Sequence, residues 1–562
     1  MPNRSSARSS PFDCFSLPAE WGSRVAKTRR RIAPPGSKIA DSPSSLKIPR
    51  GYRYARRAFP SVNKWRSASM TKAFPPVMTE GMDEPCRFEG EVYDLEIVEG
   101  AIPPDLDGLM VQAVPDQVFP PEVENLHPMT AAAGGDGTVR AFRFKDGHVD
   151  YRTRFVRTER FLLERKARRS LFGNYRDPFS DDPSVEGKSR TTANTALFFH
   201  AGKLFAAKED GLPHEIDPVT LDTRGVCTAG GSITSQTFTA HPKIDPRSGE
   251  LIGYGYAARG ETTRDIAYYV LGKDGSVEHE AWFDAPVAAM IHDCAITPNY
   301  TVLPIMPVTS DLGRLKKGGP HFVYEPDMPQ IFGVLPRRGS ASDVRWFRAP
   351  PGFTGHTINA FEEDGRIIFD VLEADGNGFA PVISDRQGNT APPGSAGTSI
   401  VRWEIDYHAS TEELGHGTVL ASVNGEGPHI DPRWEMKRQR HVFVPTLDRS
   451  KLTTDKNGRP MPVMFNQLSR FDLETGARES YYPGPAATFQ DPVFVPRSAD
   501  AAEGDGFLIA ILNYPLERRS ELVVLNSLSL EAGPIARIKL PLRMRLGIHS
   551  AWIDGASVPA WS

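Results

Sequence analysis

Residues 356–372 read HTINAFEEDGRIIFDVL. Two apolar runs of strand length flank Glu-Asp-Gly, and Asp-Gly is a hairpin signal because both residues tolerate positive φ. The unit is a histidine, a strand, a turn and a second strand. It recurs at 241–256 (HPKIDPRSGELIGYGY) and at 292–305 (HDCAITPNYTVLPI), and its first half recurs at 549–555 (HSAWIDG). In each, the histidine precedes a short strand that ends in a turn. Successive histidines stand 51, 64 and 193 residues apart. The first two intervals each suit one four-stranded blade with its loops, and the third about three blades. Equivalent positions in successive blades converge on a propeller axis. Four imidazoles meeting there make a transition-metal site.

The rest of the body carries the same punctuation. Asp-Gly pairs at 136–137, 146–147, 274–275, 364–365 and 554–555 are read as hairpin turns. Apolar runs such as 366–372 (RIIFDVL) and 506–512 (GFLIAIL) are strands. Many short strands at regular spacing predict an all-β protein, and a body this long favours a β-propeller over a sandwich. One helix is expected, from Glu159 to Phe172, N-capped by Thr158 and ended by Gly173. It reads as part of a lid over one end or as a plain surface helix.

Charge divides the 562 residues. Residues 1–70 hold 15 Lys/Arg against Asp13, Glu20 and Asp41, a net of +12, and the remainder carries −16. An acidic body argues against nucleic acid as the main partner. The Ser-, Arg- and Pro-rich head is expected to be a disordered extension over 1–75, before a single propeller domain over 76–562. A transit peptide, a start at Met70 and a plain tail are its three readings. Four scattered cysteines without CxxC spacing exclude a zinc ribbon and fit a reducing compartment. No apolar run reaches membrane-spanning length, so a cytoplasmic protein is expected.

A site of four neutral imidazoles leaves the metal its full charge, so nearby carboxylates should orient the rings by accepting their N–H groups. Glu209 (AAKEDG), Glu426 (NGEGPH) and Asp491 (FQDPVF) are candidates, although each also reads as a surface acid beside a turn. Imidazole alone suits Fe, Zn, Cu or Ni.

The four histidine segments, with EIDP at 215–218 and PVFVPR at 492–497, resemble the carotenoid cleavage oxygenases over roughly 85–562. The resemblance implies seven blades capped by a dome of helices and loops. It implies Fe(II) on His241, His292, His356 and His549, with Glu209, Glu426 and Asp491 behind them. The third acid is usually Glu, so a longer or water-bridged ring contact is expected for Asp491. It implies O2 as co-substrate, a C=C bond cut to two carbonyl products, an apolar tunnel, and a monomer with at most weak membrane contact at the tunnel mouth.

Lys208, directly before Glu209, and Tyr175 in FGNYRDPF resemble the phenol-binding pair of the stilbene-cleaving branch. That resemblance implies a 4′-hydroxystilbene such as resveratrol. A lysine beside a 4′-hydroxyl favours the phenolate, whose electrons reach the central alkene. The pair also reads as a surface lysine and a loop aromatic. One departure stands out. Ala133 occupies a place usually held by an aromatic, which enlarges that wall or passes the contact to Phe119 or Met129. Two rival expectations remain, cleavage of a carotenoid or apocarotenoid and a non-enzymatic propeller scaffold.

Overall fold

The computed structural model describes residues 72–75, 78, 83–391, 396–454, 464–559 and 561. Apart from 72–75, the basic extension expected over 1–75 lies outside the described residues. Asp146 and Gly147 both take positive φ (50° and 82°), as do Asp364 and Gly365 (50° and 75°). Each pair turns one strand back on the next, Asp136–Lys145 onto His148–Phe155 and Phe353–Glu363 onto Arg366–Ala374. Meanders of this kind build seven antiparallel sheets, the blades of a seven-bladed propeller.

Blade 1 runs inward from Gly90–Val92 through His148–Phe155, Asp136–Lys145 and Gly108–Asp116 to Ser550–Asp554. Blades 2 to 6 follow in chain order and begin at Ala196–His200, Lys243–Ile244, Ala295–Ile296, Phe353–Glu363 and His441–Thr446. Blade 7 carries Gly506–Tyr514, Arg519–Asn526 and Pro534–Lys539, with Ile97–Gly100 on its outer edge. The ring therefore closes twice. The C-terminal strand joins the first blade and an N-terminal strand joins the last. Closure removes the exposed ends that a row of blades would leave.

Neighbouring blades press apolar faces together. Phe332, Phe347, Phe369 and Trp403 fill the space between blades 4 and 5. Among the described residues no helix is long and apolar enough to cross a membrane.

Between blades, long connections fold into a cap. They hold the short helix Pro128–Ala133, the helix Glu159–Ala167 and a ribbon of Val308–Ser310 with Phe322–Tyr324. Tyr175, Met306, Phe322 and Ile383 pack with blades 3 and 4 in one cluster.

Three local expectations need correction. The helix stops at Ala167 rather than Phe172, with Arg168 left-handed at φ 58°. The buried Glu164 carboxylate accepts the amides of Leu171 and Phe172, so those residues fold back instead of extending the helix. Thr158 does cap it, accepting from the Phe161 amide, while Leu162 is exposed. Asp136-Gly137 opens a strand and is not a turn. Asp136 accepts from the Val118 amide, and a Cβ on Gly137 would stand 2.2 Å from the Thr192 carbonyl oxygen. Asp554 ends the last strand and caps the short turn Gly555–Ser557.

Candidate metal centre

Three ligand histidines directly precede or lie within innermost strands of adjacent blades. His241 leads into blade 3, His292 into blade 4, and His356 sits inside the inner strand of blade 5. The ladder of that last strand slips between Thr354 and Thr357, and this irregularity aims His356 at the axis. His549 immediately precedes the inner strand of blade 1, three blade steps further round.

The four rings meet. Their ligand nitrogens all lie within 4.8 Å of one another, and the Nε2 atoms of His292 and His356 are 3.1 Å apart. Nitrogens on opposite sides of a metal at about 2.1 Å stand ~4.2 Å apart, so a small contraction closes the set. His241 Nε2 is buried with no hydrogen-bond partner, as a nitrogen meant for a metal should be. Burial first, and then the neighbouring imidazoles, hold His241 and His549 well below the ordinary histidine range. Both are neutral, as ligation requires.

The other faces of the rings meet carboxylates. His292 Nδ1 donates to Glu209, and His356 Nδ1 lies 2.9 Å from Glu426 Oε1. Burial pushes the Glu209 carboxyl up, but the His292 contact outweighs it and holds Glu209 below its usual value. Burial likewise opposes a charge on His356, yet Glu426 lifts it to about 9. His356 would give up that proton on ligating a dication. Asp491 differs. Its Oδ2 is 3.9 Å from His549 Nδ1, beyond a hydrogen bond, and accepts the Ser550 amide at 2.7 Å.

Lys208 and Tyr175 are brought together. The Lys208 Nζ lies 4.6 Å from the centre of the Tyr175 ring, and both are buried. Lys208 donates to the Ala133 carbonyl at 2.6 Å and to Thr192 Oγ1 at 3.2 Å. An ammonium has three donors, so one remains. Burial lowers the Lys208 pKa to about 8, opposed by Asp210 and Glu209.

Residues 83–554 match the family described as retinal pigment epithelial membrane protein. The chain belongs to the carotenoid cleavage oxygenase family. It is similar to isoeugenol monooxygenase of Pseudomonas nitroreducens, 42% identical, over 84% of this chain and 96% of that protein. It is also similar to resveratrol cleavage oxygenase 1 of Aspergillus fumigatus, 40% identical over 85% and 95%. The crystal structure of Pseudomonas brassicacearum lignostilbene dioxygenase superposes with a TM-score of 0.82 at 42% identity, covering 86% of this chain and all of that one. The protein is thus a non-haem iron oxygenase of the C=C-cleaving kind, its Fe(II) site formed by the four histidines, with O2 as co-substrate.

Sequence reasoning missed several residues that stand around the histidines. Phe379 stands edge-on to His292 with ring centres 6.3 Å apart, from a connection that carries no periodic signal. His429 places its Nε2 2.9 Å from Asp491 Oδ1. Asp293, next to His292, accepts from Thr357 and Cys294. Its adjacency to a ligand was the one signal available.

Proposed function

We propose that this protein acts on a 4′-hydroxystilbene of the resveratrol type and cuts the C=C bond between its rings to give two aromatic aldehydes. The observation that carries the reading is Lys208. It is a buried lysine with a donor to spare, beside Tyr175 and one residue from the acid that faces His292. A hydrocarbon polyene offers such a lysine no partner, and a phenol does.

When bound, Fe(II) supplies redox chemistry with O2. The chain's own residues bind and prepare the alkene. Lys208 takes up the 4′-hydroxyl proton or, already charged, attracts the phenolate. Electron density then moves through the ring onto the alkene. Tyr175 holds the same oxygen, since burial raises its own pKa well above the ordinary value and keeps it a donor. Phe379, Phe353 and Tyr324 make an apolar wall near His292 that keeps water from the reacting carbons. Atoms balance, because the alkene and one O2 give two carbonyl groups.

The test loads the protein with Fe(II), adds resveratrol in air, and separates the products by chromatography. 4-Hydroxybenzaldehyde and 3,5-dihydroxybenzaldehyde are expected together. Lys208→Met should lower kcat/KM by roughly 10²-fold or more at unchanged iron content, the usual contribution of a proton-handling group. Lys208 is charged below about 8 and neutral above it. A neutral phenol entering the site needs the neutral amine, so kcat/KM should rise with pH through about 8 and be flat there in the variant. Full activity in Lys208→Met would sink the reading.

A second reading has its own support. Lys208 and Tyr175 recognise one phenolic ring only, and isoeugenol monooxygenase is among the relatives. A 4-hydroxyphenylpropene meets the same chemistry. Faster turnover of isoeugenol than of resveratrol would favour it.

A further inference from the structure

Three acids stand behind the iron ligands, and one of them is engaged elsewhere. Asp491 has two oxygens. Oδ2 accepts the Ser550 amide at 2.7 Å and Oδ1 accepts from His429 Nε2 at 2.9 Å, while His549 Nδ1 is 3.9 Å away. His429 is delivered to that place by its backbone, which exchanges two 2.8 Å hydrogen bonds with Phe443 on the inner strand of blade 6. Gly427 makes room for the arrangement. Its φ is +69°, and a Cβ there would stand 2.8 Å from Asp491 Oδ1. Its amide binds the Glu426 carboxylate at 2.5 Å, so the residue also serves the acid that faces His356.

We propose that His429 is a positioning residue that holds Asp491 away from His549, leaving the His549 ring without a carboxylate partner and raising the rate at which iron leaves. Two ligand rings, His292 and His356, have a carboxylate at Nδ1. Among the described residues the hydrogen bonds at His549 run through its backbone, by Asp491 on the following amide, by its own amide to the Thr195 carbonyl at 3.2 Å and by its carbonyl to the Ala113 amide at 3.0 Å. Such ties fix the strand, while the ring, packed against the other three imidazoles, has no acceptor within hydrogen-bond distance of its Nδ1 among those residues. A carboxylate at Nδ1 fixes the ring and strengthens it as a ligand, so its absence weakens the hold on the metal. Removing the His429 donor frees Oδ1, and a shift of about 1 Å brings an Asp491 oxygen within hydrogen-bond reach of His549.

The inference rests on the metal centre and not on the identity of the substrate, so its test needs no turnover. The Fe(II)-loaded full chain is mixed, without air or substrate, with excess ferrozine, and the coloured iron complex is followed in time. His429→Leu should release iron roughly ten-fold more slowly than the native protein, the low end of what ring-orienting partners contribute. His429→Gln keeps an N–H donor at similar reach and should release it at the native rate. Slower release is the opposite of what damage to the fold produces, so a merely structural effect does not imitate it. Release from His429→Leu at the native rate or faster overturns the proposal. Should that variant not fold, Asp491→Glu decides. Its extra methylene spans the gap with His429 in place, so slower release upholds the proposal and unchanged or faster release overturns it.

Discussion

The two ends of the site are built differently. At the metal end, one carboxylate joins three ligand strands. Asp293 Oδ2 accepts from the Thr357 amide at 2.9 Å and its hydroxyl at 2.8 Å, and Oδ1 accepts from the Cys294 amide at 2.7 Å and pairs with Lys243 at 3.0 Å. Lys243 lies two residues after His241, Cys294 two after His292, and Thr357 one after His356. At the Lys208 end, the lysine is held by the Ala133 carbonyl and by Thr192, on connections outside the blades. There the backbone is bent, with Arg176 and Ala193 at φ 53° and 49°. The histidines are set by strand ladders braced by an ion pair, whereas Lys208 is held by loops. Loops accept change with little effect on the fold, which suits a scaffold that keeps one reaction and varies its substrates.

That contrast can be broken most forcefully at Asp293. Asp293→Ala removes the carboxylate that pairs with the half-buried Lys243 and accepts from the Thr357 and Cys294 amides, at an expected cost of about 3 kcal/mol in stability, measured by denaturant unfolding. A variant as stable as the native protein would show that the three strands need no common brace. Next in size is Glu209→Gln. The amide accepts less strongly from His292, and Fe(II) affinity should fall about 10- to 100-fold in a metal titration. Unfolding of the metal-free variant should be close to native, because the ladder does not depend on that contact. Unchanged iron affinity would make Glu209 a partner of Lys208 alone.

How much of this was legible in the sequence follows from the distance over which each feature is encoded. The histidine units were legible because strand, turn and strand are local and Asp-Gly marks the turn, as Asp364-Gly365 shows. The blade count between ligands was legible because a blade has a nearly constant length. Two Asp-Gly pairs were misread because the same dipeptide serves close packing at Gly137 and a short cap at Asp554. The helix end was misread because its stop is a side chain, Glu164, taking amides seven and eight residues ahead. His429 was passed over because its partner lies 62 residues away and the pairing depends on how blades 5 to 7 converge. A histidine without the repeated strand–turn context looks the same whether it faces solvent or an acid behind the metal.

The smallest expected effect sharpens the contrast from the loop side. Ala133 closes the short helix Pro128–Ala133, and its contribution to Lys208 is a backbone carbonyl that also accepts from Asn194 Nδ2 at 2.9 Å. Both bonds survive a change of side chain, so Ala133→Phe should fold with native stability and bind iron normally. A ring at that position takes space next to Lys208, the proposed partner of the phenol. Substrates with a methoxy group beside the hydroxyl should then suffer more than unsubstituted ones. The ratio of kcat/KM for 4-hydroxystilbene over its 3-methoxy analogue is expected to rise roughly ten-fold, which is what one small group in a fitted pocket is worth. A rise of that size without loss of iron or stability would place selection in a residue whose side chain the metal end never uses. An unchanged ratio would move selection away from Ala133 and toward residues such as the Phe353–Phe379 pair.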